Sequence, residues 1–105
     1  MTSSRLDVLK QFLEQEPSDP FNHYAIALEY AAHQMYIEAI KKFQEVIRLD
    51  PGYVPAYQQL GLLFSQLGRK SEAQEIFVRG IEVAESSGDA HARAEMQDAL
   101  DELDG

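Results

Sequence analysis

Apolar side chains return every three or four residues along most of the chain. Leu6, Leu9 and Leu13 form one stripe, Ile26 and Tyr30 a second, and Ile40, Phe43 and Ile47 a third. Such spacing lines one face of an α-helix, whereas a half-buried strand would alternate. The pattern predicts an all-α chain without strands, with helices near residues 4–15, 20–34, 37–49, 54–67, 71–85 and 89–103. Local signals fix several starts. Ser4 followed three residues later by Asp7 has the form of a capping box, Asp19 precedes a first-position Pro20, and Asp89 caps the last helix after Ser-Ser-Gly.

The stretch RLDPGYVPAYQQLG, residues 48–61, marks a corner. Proline lacks a backbone donor and fixes φ, so Asp50-Pro51 ends one helix and Pro55 fits only the first turn of the next. The corner recurs. Shifting the chain by 34 residues places Pro17 on Pro51, Ile26 on Leu60, Ala27 on Gly61, Tyr30 on Phe64, Ala39 on Ala73, Phe43 on Phe77 and Ile47 on Ile81. A fixed period of this length signals stacked helical hairpins. Backwards, the same shift sets Leu9 under Phe43, Phe12 under Val46 and Leu13 under Ile47, so the first helix reads as the second half of an incomplete repeat. Forwards it fails, because His91, Glu95 and Asp98 stand where aromatic, small and aromatic residues would fall.

On these residues the chain resembles the tetratricopeptide repeat family, whose 34-residue helix pairs stack into a right-handed superhelix. The second full repeat matches through Tyr57, Leu60-Gly61, Phe64, Ala73, Phe77 and Gly80. The first matches through Ile26-Ala27, Tyr30, Ala39, Phe43 and Pro51, but has His23 for the opening aromatic, Val46 for a small residue and Gln34 where its sister has Gly68. Those departures leave the fold intact and are expected to make the first corner less sharply defined. The resemblance implies an α-α superhelix of about six antiparallel helices in a single domain over 1–105. Its parts would be a half repeat at 4–19, repeats at 20–53 and 54–87, and an acidic capping helix at 88–105.

The small residues suit that packing. Ala27 and Gly61 let paired helices approach, Tyr30 and Phe64 fill the space beside them, and Ala39 and Ala73 admit the neighbouring helix. A stacked array also needs a terminal helix with a polar outer side. Ala92, Met96, Ala99 and Leu103 supply an inner stripe for such a cap, and Glu95, Asp98, Asp101 and Glu102 its wet side.

Charge sharpens this picture. Of the net −9, −7 lies from Glu82 onward, where Arg93 is the one base among eight acids. Nucleic-acid binding needs a basic face, so the charge argues against it, and the acidity reads as the solubility of a cap ahead of an acidic recruitment tail. No apolar run approaches the roughly 18 residues of a membrane span, and the start has no basic segment followed by an apolar block. The chain contains no cysteine, which fits a reducing compartment, and a cytoplasmic location is expected.

Candidate chemistry is sparse. His23, His33 and His91 come from different helices without a ligand motif, and His91 with Glu95 one turn later makes only two ligands. QLGRKSEA is an inter-helix turn with a single glycine, not a phosphate loop. Neither catalytic residues, metal nor cofactor are expected.

The resemblance implies instead a peptide-binding concave face built from the first helix of each pair. Carried over, it comprises Phe21, Tyr24, Leu28, Ala31 and Ala32, then Gln58, Gln59, Leu62, Ser65 and Gln66. Family members that grip the C-terminal carboxylates of heat-shock chaperones use Lys and Asn, then Asn, then Lys and Arg. Here Tyr24 and Leu28, Gln59, then Asp89 and Arg93 stand at those places, which argues against that clamp. Tyr24, Leu28 and Leu62 lie off the core stripe and await a protein or peptide partner, a flanking helix or a second copy of the chain. Two functions follow: a non-catalytic interaction module, or a self-associating subunit that pairs as a homodimer through the same face or the N-terminal half repeat.

Overall fold

The computed structural model describes residues 4–104. It contains α1 (Arg5–Gln15), α2 (Pro20–Ala32), α3 (Tyr36–Leu49), α4 (Val54–Gln66), α5 (Lys70–Ser87) and α6 (Ala90–Asp104), with no strand among the described residues. No helix among them is long and apolar enough to cross a membrane. The chain forms two compact units that divide after Asp50, the first holding α1 to α3 and the second α4 to α6.

Three helix starts carry the expected side-chain caps. The Asp7 N–H donates to Ser4 Oγ at 3.1 Å, the Phe21 N–H to Asp19 Oδ1 at 2.9 Å, and the Ala92 N–H to Asp89 Oδ1 at 3.0 Å. Each satisfies one of the donors a helix leaves orphaned at its first turn. α3, α4 and α5 begin without such a bond.

Helix ends are more uniform than the sequence suggests. Gln34, Gly68 and Gly88 adopt φ of 63°, 74° and 75° at the ends of α2, α4 and α5. In each case the next residue's N–H reaches back to a carbonyl five residues earlier, Met35 to Tyr30 at 2.8 Å, Arg69 to Phe64 at 2.9 Å and Asp89 to Ala84 at 2.9 Å. This is the left-handed cap that closes a helix and reverses the chain. The expectation of a looser first corner is therefore corrected. The hydrogen bonds of the turn hold Gln34 in the left-handed region although its Cβ disfavours it.

In the first unit α2 packs on α1 and α3. Ile26, Ala27, Ala39, Phe43 and Val46 are buried, with Leu9 joining them from α1. Phe12 differs from its partner in the repeat, being 49% exposed where Val46 is fully covered. The reason is neighbour number: α1 packs chiefly on α2, and one neighbour covers one stripe.

In the second unit α5 packs on both α4 and α6. Two glycines make that possible. A Cβ on Gly61 would meet the Phe77 ring, with Cζ 2.7 Å away, and one on Gly80 would stand 2.7 Å from Tyr57 Cβ and 2.5 Å from Met96 Sδ. On α6, Ala92 and Met96 are buried, Ala99, Leu100 and Leu103 are half-buried, and Glu95, Asp98, Asp101 and Glu102 are exposed.

His23 is buried and takes over the place of an aromatic. Its Nε2–H donates to the Pro17 carbonyl at 2.7 Å, as the Tyr57 hydroxyl donates to the Pro51 carbonyl at 2.7 Å, 34 positions further on. The remaining His23 nitrogen, Nδ1, accepts from Lys42 Nζ at 3.4 Å. The residue that breaks the pattern thus preserves its hydrogen bond.

Candidate functional site

In the first unit, Phe21, Tyr24, Leu28 and Ala31 lie on one side of α2 by their spacing of three and four residues. The opposite side carries Ile26 and Tyr30 into the core. Phe21 is 60% and Leu28 38% exposed, Ala32 is exposed, and Ala31 is half-buried. Tyr24 is shared between surface and core. It is half-buried, and its ring stands edge-on to Phe43 at 6.0 Å and 61°.

In the second unit, α4 presents Leu62, 47% exposed, among half-buried Gln58, Gln59 and Ser65 and exposed Gln66. Beside Leu62 lies a cavity of about 100 Å³, lined by Gln58, Leu62, Phe77, Glu95, Met96 and Ala99. Residues of α6 thus form half of this site, although the repeat pattern assigned that helix only a covering role. The signal was present in the spacing of Glu95 and Ala99, which sit one turn apart on α6. Two polar groups are already engaged: the Ser65 hydroxyl donates to the Gly61 carbonyl at 3.0 Å, and Gln58 Nε2 donates to Glu95 Oε1 at 3.4 Å. Ser65 therefore offers a ligand its oxygen lone pair rather than its proton.

The positions compared with a carboxylate clamp are occupied otherwise. Asp89 caps α6, and Arg93 Nε donates to Glu85 Oε1 at 2.7 Å, so the one arginine of α6 is turned to an intramolecular acid. His91 Nε2 lies 2.9 Å from Glu95 Oε1, and among the described residues no group of three potential metal ligands gathers.

A larger cavity, about 310 Å³, opens on the core side of α2 between Lys10, Leu13, Glu14, Ile26, Tyr30 and Lys42. Lys10 Nζ sits 5.8 Å from the centre of the Tyr30 ring, a cation–π distance.

Comparison with known proteins supplies the wider frame. A tetratricopeptide repeat domain protein of Salinibacter ruber, solved by NMR, is 38% identical, with a TM-score of 0.79 over 84% of this chain and 89% of that one. The TPR2B domain of yeast Sti1, solved in a complex with pHsp70, superposes with a TM-score of 0.88 at 16% identity, covering 94% of this chain and 79% of that one. At that identity the likeness concerns the fold. Tetratricopeptide repeat protein 37 of Xenopus laevis is 28% identical over 92 residues, which are 82% of this chain and 6% of that protein's length. Residues 30–96 match the family model described as tetratricopeptide repeat, and with the 34-residue period and paired helices seen above, the chain belongs to the tetratricopeptide repeat family.

Proposed function

We propose that this chain is a non-catalytic protein-interaction module that holds a peptide or an amphipathic helix on an exposed helix side, that of α2 in the first unit or that of α4 in the second. The observation that carries the reading is the pair Leu28 and Leu62. Each is a large apolar side chain left open on a helix whose opposite side is fully buried. Anchors of this kind, ringed by polar groups such as Gln58, Gln59 and Gln66, concentrate binding energy at an interface. The yeast Sti1 domain, which shares this fold and was solved in a complex with pHsp70, supports protein binding as a use of the fold. The different residues at the clamp positions point to a partner of other chemistry than a chaperone carboxylate. The reading places the module in the cytoplasm, in keeping with a chain free of cysteine.

The test is capture from the source cell with wild-type protein and with a Leu28→Asp/Leu62→Asp variant. Loss of the partner with unchanged helical content and Tm supports the reading. A variant that still binds places the site on another face, and one that unfolds makes these residues core.

A second reading has its own observation. Val8 and Phe12 are 38% and 49% exposed on α1, so a second copy of the chain is another candidate to cover that helix.

A further inference from the structure

We infer that the occupant of the α4–α6 face is a basic amphipathic helix, whose apolar residue seats on Leu62 and whose lysines or arginines lie along α6. The inference rests on the interaction reading above and gives its partner a chemistry. The floor is mostly apolar: Leu62, Phe77, Met96 and Ala99 line the cavity of about 100 Å³ together with Gln58 and Glu95, a space suited to part of one side chain. One border is acidic. Glu95, Asp98 and Glu102 follow one another three and four residues apart, on the strip of α6 next to Ala99, and all are exposed.

The chain supplies little to neutralise this strip. Among the described residues Arg93 is engaged by Glu85, and the partners of Glu95 are the imidazole of His91 and the amide of Gln58. Among the described ion pairs none includes Asp98 or Glu102. An acidic ligand would be repelled here, whereas a basic one gains charge complementarity and a faster encounter. The spacing selects the ligand's shape. Seven helical residues rise roughly 10.5 Å, so a helix lying alongside meets Glu95, Asp98 and Glu102 with cations at matching intervals of three and four. An extended peptide, rising about 3.3 Å per residue, falls out of step.

The experiment titrates the full chain with two capped peptides of about 14 residues. Both carry the same leucine stripe; one has lysines and the other glutamates on the flanking positions. Amide and methyl NMR shifts report the site. The lysine peptide is expected to shift Leu62, Met96 and Ala99, and to bind at least about tenfold more tightly than the glutamate peptide at low salt. Asp98→Lys/Glu102→Lys should cost it about tenfold or more. Glu75→Lys/Glu82→Lys, the same charge change on exposed positions of α5, should cost under about twofold. Circular dichroism confirms that both variants fold. Equal affinity for the two peptides at Leu62 overturns the inference and leaves the interaction reading standing. An equal loss in the α5 variant reduces the effect to bulk charge and also overturns it. Shifts gathered on another face, or none at all, overturn it as well, and the Leu28→Asp/Leu62→Asp capture then decides the interaction reading by itself.

Discussion

Gln34 and Gly68 occupy the same turn 34 residues apart with nearly the same φ, 63° and 74°. At Gly68 an added Cβ would meet nothing within 4 Å, so what separates the two residues there is backbone preference rather than space. Gln34→Gly removes roughly 1–2 kcal/mol of left-handed strain and frees a more flexible unfolded chain. A net gain of about 0.5–1 kcal/mol is expected in urea denaturation, and Gly68→Gln should lose about as much. The hydrogen bonds of His23 and Tyr57 give a second matched pair. His23→Phe and Tyr57→Phe keep a ring and delete the donor to Pro17 or Pro51, so each should cost about 1 kcal/mol. A loss at Tyr57 alone would show that the bonds of His23 to Pro17 and Lys42 contribute no more than a buried phenyl ring does.

At the scale of elements, the second unit depends on α6. Gly80 lies where α5 meets Tyr57 of α4 and Met96 of α6. Met96 Sδ is the end of a flexible side chain and can move aside, but Tyr57 Cβ is fixed to its helix. Gly80→Ala should therefore overpack the junction by about 1–3 kcal/mol, read as a lower Tm. Removing residues 89–105 should uncover Phe77 and the surface at Gly80 that meets Met96, with aggregation visible in light scattering. A truncated chain that stays monomeric with the same Tm would make α6 an independent tail. The helices and their caps were legible in the sequence because period and capping residues are local. The exposure of Phe12 was not, since periodicity says which face is apolar but not how many helices cover it. The hydrogen bond that lets His23 stand in for an aromatic was hidden for a similar reason, as it depends on where a ring nitrogen ends up. The proposed anchors on α2 and α4 came from the repeat pattern, whereas Glu95, Met96 and Ala99, which line the cavity beside Leu62, lie in the helix where that pattern fails.

At the scale of the whole molecule, the competing uses of the exposed apolar surface can be weighed by area and charge. A stable pairing of two copies removes about 800 Å² from each partner. On α1 the uncovered apolar residues are Val8 and Phe12, and at 38% and 49% exposure they offer roughly 150 Å², given that an aromatic side chain presents about 150–250 Å² in all. The C-terminal region is no better suited to self-pairing, because it carries −7 of the net −9 and two copies would repel. Light scattering at low salt should thus give the mass of one chain, 11.9 kDa, at every concentration up to about 100 μM. The same scan at high salt screens the repulsion and isolates the apolar term. A dimer that forms there and is abolished by Phe12→Asp would assign α1 to self-association, with the faces of α2 and α4 still open to a different partner. A dimer abolished by Leu62→Asp instead would put a second copy on the face assigned here to a basic helix, and the self-associating reading would replace the interaction module.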